Sequence, residues 1–138
     1  MKIDGSNALI TGASAGIGRE FARQLANRAR TLVLVARREQ RLNELRDELR
    51  NRNPQLDVRV RVVDLCDKSQ LDDLIAWLDQ TKIDIDFLIN NAGLGDYGSF
   101  ATSDAKRDDR IIQVNVAALT LLTHRLLPQM IARKRGAI

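Results

Sequence analysis

Thr11-Gly12-Ala13-Ser14-Ala15-Gly16-Ile17-Gly18 is the stretch on which the fold turns. It follows the apolar run Ala8-Leu9-Ile10 and opens a segment in which Ile17, Phe21 and Leu25 recur every four residues. The run reads as a short buried strand, and the recurrence draws one face of a helix. Three glycines therefore join a strand to a helix. Gly12 lets the chain turn sharply, Gly16 leaves room for a ligand beside the backbone, and Gly18 lets the helix lie close to the sheet. The helix then offers free N–H groups and the positive end of its dipole to an anion such as a pyrophosphate. The spacing is G-x-x-x-G-x-G, not the commoner G-x-G-x-x-G.

Outward from this loop, apolar runs alternate with helix-period segments, which predicts a parallel β-α-β-α sheet. Thr31-Leu32-Val33-Leu34-Val35-Ala36 is an uninterrupted apolar run, as in a strand buried on both faces. Leu42, Leu45 and Leu49 mark a helix that stops before Asn53-Pro54. Val58, Val60 and Val62 alternate with Arg59 and Arg61, a third strand with one wetter face. Asp67 and Gln70 have the spacing of a capping box for a helix buried through Leu71, Leu74, Ile75 and Leu78, with Trp77 beside them. Ile85-Asp86-Phe87-Leu88-Ile89 is a fourth strand, followed by a loop containing Gly93, Gly95 and Gly98. A long helix is expected from about Lys106 to Arg133, kinked or shortened by Pro128. Arg135-Gly136-Ala137-Ile138 reads as a helix cap and the first residues of a fifth strand.

Composition narrows the class. The 138 residues suit one domain, 1–138, of ordinary apolar and charged content. No apolar run is expected to span a bilayer. The opening Met1-Lys2-Ile3-Asp4-Gly5 has no signal-peptide core. Cys66 is the single cysteine, which excludes an internal disulfide and a cysteine metal cluster. Together these point to the cytoplasm, with no membrane partner. Residues 1–62 carry 13 Lys and Arg against 7 Asp and Glu, a net of +6; residues 63–138 carry 9 against 11, a net of −2. Arg41, Arg46, Arg50 and Arg52 are interleaved with acids on a helix, a solvated face and not a nucleic-acid footprint. No metal ligation is expected.

Four motifs in order carry a resemblance. The glycine loop comes first. Asp64-Leu65 closes the third strand, Asn90-Asn91-Ala92-Gly93 ends the fourth, and Asn115 lies in Val114-Asn115-Val116 on the long helix. The chain resembles the short-chain dehydrogenases/reductases over its whole length. The resemblance implies that Asp64 and Leu65 meet an adenine. It implies that Asn91, Ala92 and Gly93 line a cofactor channel, and that Asn115 is a member of a catalytic tetrad. The run Leu34-Val35-Ala36-Arg37-Arg38 resembles the NADP(H)-preferring members.

Coenzyme choice also follows from charge. NAD enzymes place a carboxylate after the second strand to bind the ribose 2′-hydroxyl. Here the strand ends in Arg37-Arg38, and a guanidinium binds a 2′-phosphate that a carboxylate would repel. Arg37 is favoured because it directly follows the strand, Arg38 then starting a solvated helix, and Ser14 adds a hydroxyl. The expected seat comprises Gly12, Ser14, Ala15, Gly16, Ile17, Gly18, Arg37, Asp64, Leu65, Asn91, Ala92 and Gly93. It is expected to hold NADP(H), with NAD(H) the weaker alternative.

The resemblance implies hydride transfer between NADP(H) and a carbonyl or alcohol. Its serine and Tyr-x-x-x-Lys would lie past Ile138. Tyr97 has Ala101 four residues on and cannot supply that pair, so substrate lining or packing suits it better. The chain as written is expected to be nearly inactive. His124 reads as a surface histidine and Cys66 as a packing residue. The expected fold is a doubly wound α/β Rossmann sheet of order 3-2-1-4, stopping short of a complete fifth strand. The resemblance also makes a homo-oligomer through helix 106–133 plausible. The alternative is a non-catalytic dinucleotide-binding or interaction module. A different Rossmann enzyme, such as a methyltransferase, would leave Asn115 and the N-N-A-G element unexplained.

Overall fold

A computed structural model describes residues 3–138. Met1 and Lys2, two of the five opening residues read above for a signal core, lie outside the described residues. In chain order the elements are β1 (Asn7–Thr11), α1 (Gly16–Leu25), β2 (Thr31–Ala36), α2 (Glu39–Arg52), β3 (Asp57–Val62), α3 (Lys68–Thr81) and β4 (Phe87–Ile89). A 3-10 turn (Phe100–Thr102) precedes α4 (Ala105–Ile112), a π-helical stretch (Gln113–Ala118) and α5 (Leu119–Ala132). The strands form one parallel sheet in the order β3-β2-β1-β4. This is the doubly wound α/β arrangement that the alternation predicts.

Alternation along each strand splits the core into two layers. Ala8, Ile10, Leu32 and Leu34 face α1 and α2, meeting Ala22, Leu42, Leu45 and Leu49. Leu9, Val33, Val35 and Leu88 face α3 and α5, meeting Leu71, Leu74, Leu78, Leu122 and Leu126. Each fully buried leucine contributes about 1.5–3 kcal/mol through removal from water. The helix following β1 packs on one layer and the helix following β4 on the other. The chain therefore diverges at the carboxyl ends of two neighbouring strands, and a crevice opens there.

Several local readings are refined. β4 spans three residues because its first positions do other work. The Asp86 carboxylate accepts the Asn7 N–H (3.0 Å), and ladder pairing begins at Ala8 and Phe87. β3 is an edge strand paired to β2 along its whole length, and Val62 at its end is exposed, while Arg61 stacks on Trp77 at 4.7 Å. Asp67 caps α3 through the Ser69 and Gln70 N–H groups. Gln70 departs from the capping box by accepting from Asp64 N–H (2.8 Å).

The long helix starts at Ala105 and passes through Pro128 to Ala132. Its closure falls at Lys134, in the left-handed region at φ 51°, and not at Gly136. Arg135 N–H bonds Met130 O (3.0 Å) across this turn. Gly136 serves a close approach instead, since a Cβ there would stand 2.5 Å from Met130. Ala137 then pairs with Phe87, the start of a fifth strand beside β4. The expectation that no segment has the length and hydropathy of a span is corrected. Ala105–Ala132 runs 28 residues with a window of mean hydropathy 1.2. Its inner stripe, Val114, Ala118, Leu122, Leu126 and Met130, is buried on the sheet.

Candidate functional site

The floor of the crevice is the amino end of α1. α3 and α4 are capped by Asp67 and Asp104, but α1 has no side-chain cap. Its first N–H groups are thus left to a ligand. Gly12 and Gly16 hold φ of +68° and +53°, which only glycine adopts without strain. Nothing lies within 4 Å of where a Gly16 side chain would be, so the backbone there faces open space. Gly18 is the opposite case. A Cβ on it would meet the Asn91 amide at 2.4 Å and Gly12 O at 2.6 Å. Gly18 therefore lies beneath the crevice and sets the depth of α1, whereas Gly12, Ala15, Gly16 and Ile17 line the crevice itself.

Thr11 stitches this floor to the N-N-A-G element. Its buried hydroxyl accepts the Asn91 and Ala92 N–H groups, both at 3.0 Å, and donates to Ile89 O (3.3 Å). The Asn91 amide returns to Thr11 O (2.9 Å). Asn90 turns the other way and donates to Thr123 Oγ (3.1 Å), tying β4 to α5. Thr11 escaped the sequence reading because a threonine ending a strand has no signature apart from its partners.

Two guanidinium groups flank the outer end. Arg38 donates to the buried Ser14 Oγ twice, from Nη2 (3.1 Å) and Nε (3.3 Å). Ser14 thereby spends lone pairs and keeps its hydroxyl proton for an anion. Arg37, favoured from sequence, faces the other wall, with Nη1 3.8 Å from Asp64 Oδ2. Both arginines line the crevice, but Arg38 is the one that meets Ser14. Asp64 is held by its own turn, accepting Cys66 N–H (3.0 Å). Val63 and Leu65 give this wall an apolar surface suited to a planar base. Burial, with Asp64 beside it, pushes the Cys66 thiol above its ordinary value, which fits a packing residue.

At the inner end Ala92 and Gly93 form the rim, and Asn115 stands behind it. Asn115 sits in the π-helical stretch, a distortion that often marks functional positions. Its amide donates to Leu94 O and accepts Leu94 N–H, both at 2.8 Å. One amide hydrogen and part of the acceptor capacity remain free. Leu94, the residue so gripped, was not singled out in the sequence. Tyr97 and Phe100 are fully and largely exposed on the next loop, and His124 lies on the outer face of α5.

The crevice has a volume of about 490 Å³, ordinary for a small-molecule or cofactor site. An uncapped helix end, glycine backbone facing open space, an apolar wall and paired guanidiniums fit a phosphorylated dinucleotide.

Comparison with known proteins identifies the family. A family model described as short chain dehydrogenase matches residues 6–138. The chain is 35% identical over 137 residues to the very-long-chain 3-oxooacyl-coA reductase let-767 of Caenorhabditis elegans, covering 95% of this chain and 43% of that protein. It is 36% identical over 134 residues to sulfoacetaldehyde reductase 2 of Chromohalobacter salexigens, covering 94% of this chain and 50% of that protein. Among solved structures it is similar to a short-chain dehydrogenase from Sphingobium yanoikuyae in complex with NADPH. That likeness has a TM-score of 0.89 at 37% identity, over 96% of this chain and 52% of that one. The chain thus spans about half the length of the relatives it matches.

Proposed function

The chain belongs to the short-chain dehydrogenase family, and from that membership we propose that it forms the coenzyme-holding part of an NADP(H)-dependent oxidoreductase. The reaction is the interconversion of a carbonyl and an alcohol. Reduction of a carbonyl is the chemistry named for the relatives, a 3-oxooacyl-coA reductase and a sulfoacetaldehyde reductase. The observation that carries the coenzyme choice is the corner made by Arg38, Ser14 and Arg37. It presents two cations and a hydroxyl where an NAD enzyme presents a carboxylate.

When bound, NADP(H) supplies or takes up the hydride. The protein's own residues bind and orient. The N–H groups opening α1 receive the pyrophosphate, Arg38 and Ser14 receive the 2′-phosphate, and Arg37 adds its charge. Asp64 and Leu65 receive the adenine end, and Asn91, Ala92 and Gly93 border the nicotinamide end. Asn115 fixes the Leu94 peptide beside that end and keeps hydrogen-bonding capacity for a water. These 138 residues contain no Tyr-x-x-x-Lys. On their own they turn over a carbonyl substrate negligibly, for want of a proton donor. A second copy of the chain is the partner of the apolar outer face of the long helix.

Half of the coenzyme suffices for a test. Adenosine 2′,5′-bisphosphate is expected to bind at least about tenfold tighter than 5′-AMP, the worth of one charge-assisted phosphate contact. Arg38→Ala is expected to remove most of that difference and leave 5′-AMP binding unchanged. Equal affinities in the wild type would remove the phosphate-reading role from this corner.

A further inference from the structure

Beyond Arg37 and Leu94 the crevice continues into a second recess of about 510 Å³. Arg37, Lys106, Arg107 and Arg110 line it, with Asp104 as the sole lining carboxylate, a net of +3. Three of these cations stand in the first two turns of α4, where the helix dipole favours acids and disfavours bases. Lys106 and Arg110 are four apart on one face, and Arg107 and Arg110 three apart, so they also repel one another.

The nearby carboxylates do little to offset this. Asp104 is committed to the helix end, accepting Lys106 N–H at 3.0 Å. Asp108 accepts the Ser103 hydroxyl. A single oxygen of Asp64 is shared between Arg37 at 3.8 Å and Arg110 at 3.6 Å, both beyond hydrogen-bonding distance. Arg107 has Asp96 at 2.9 Å. Among the described residues Lys106 is in no ion pair, and the side chains of Arg37, Arg110 and Lys106 make no hydrogen bond. Apart from the Arg107–Asp96 pair, folding gains little from these cations, whereas an anion in the recess would gain most from Arg37, Lys106 and Arg110.

We propose that this recess is a second anion seat, which takes a phosphate group lying alongside the bound coenzyme. The seat rests on the coenzyme reading only in having an occupied crevice next to it. Two sources share the chemistry: the 2′-phosphate of the coenzyme, reached through Arg37, and a phosphate carried by a second ligand. The Arg38–Ser14 corner already serves the former, so the geometry points to the latter.

The test is a titration with inorganic pyrophosphate, followed by amide NMR shifts in the free and the NADPH-saturated chain. In the saturated chain the amides of residues 105–111 are expected to move. Replacement of Lys106, Arg107 and Arg110 together by glutamine, a good helix former, is expected to weaken that response about tenfold or more. An unchanged thermal midpoint shows that the variant folds. The same variant is expected to keep its ratio of NADPH to NADH affinity. Loss of NADPH affinity alone, with no pyrophosphate response in the saturated chain, would assign the seat to the coenzyme's own phosphate and reject a second ligand. No movement at 105–111 in either form, or an equal response in the glutamine variant, overturns the seat altogether. Should NADPH fail to bind at all, the coenzyme reading falls, and the free-chain titration still decides the recess.

Discussion

At the scale of single residues, the crevice is defined by atoms that are absent and by one hydroxyl. Gly18→Ala would drive a Cβ against Gly12 O at 2.6 Å, a backbone atom that cannot swing away. The expected cost is about 1–3 kcal/mol of stability, together with loss of coenzyme binding; chemical denaturation and a binding titration measure the two. Thr11→Val keeps the shape but strands the Ala92 N–H, while the Asn91 N–H keeps Ile89 O at 3.0 Å, at an expected cost of about 1–3 kcal/mol. Hydrogen exchange is expected to quicken at 92 in that variant, and unchanged protection there would mean that the stitch carries nothing. The glycines were legible from sequence because spacing alone announces a turn and a close approach. The choice between Arg37 and Arg38 was not. Adjacent residues leaving a strand point in different directions, and only the fold shows that the second one reaches Ser14 while the first meets Asp64.

At the scale of elements, ion pairs lock α1 to α2. Arg19 and Arg23 of α1 and Arg52 of α2 converge on Glu48. The hydrogen bond from Arg23, first among these contacts, holds the Glu48 carboxyl below its ordinary value. A lowered folded-state value means that this stabilisation is complete above the unfolded value, about 4.5. It is lost as pH falls through the folded value. Glu48→Gln is therefore expected to lower stability by at most about 1 kcal/mol near pH 7, since the cluster is partly solvated. The variant should approach the wild type as the pH falls through that lowered value, and melting curves from neutral to acid pH check the sign. A constant gap at all pH values would mean that the effect is packing and not charge. The elements themselves were largely readable, since period-two and period-four apolar patterns fix strand and helix faces. The short β4 and the π-helical stretch were not. The first depends on a side-chain bond between Asp86 and Asn7, sequence neighbours only after folding. The second changes hydrogen-bond register without changing the apolar period.

At the scale of the whole molecule, two apolar layers build a rigid sheet whose carboxyl edge is cationic. They also leave one outer face apolar. Ile112, Val116, Leu127 and Ile131 are exposed along the long helix, a row that one partner surface would cover. Ile131→Glu combined with Val116→Glu is expected to abolish self-association in sedimentation velocity while leaving the circular dichroism spectrum unchanged. If the wild type sediments as a monomer at all accessible concentrations, that partner assignment is wrong. The doubly wound order and the position of the crevice followed from the alternation of elements, but this exposed face did not follow from the helix period, which shows only which residues turn inward; the resemblance alone pointed to pairing through helix 106–133. The account as a whole depends on a phosphorylated dinucleotide seated on the amino end of α1. Calorimetric titration of the chain with NADPH and NADH tests this most directly. Saturable binding of NADPH, about tenfold or more tighter than NADH, is the predicted result; no heat with either coenzyme, in a chain shown to be folded, would contradict it.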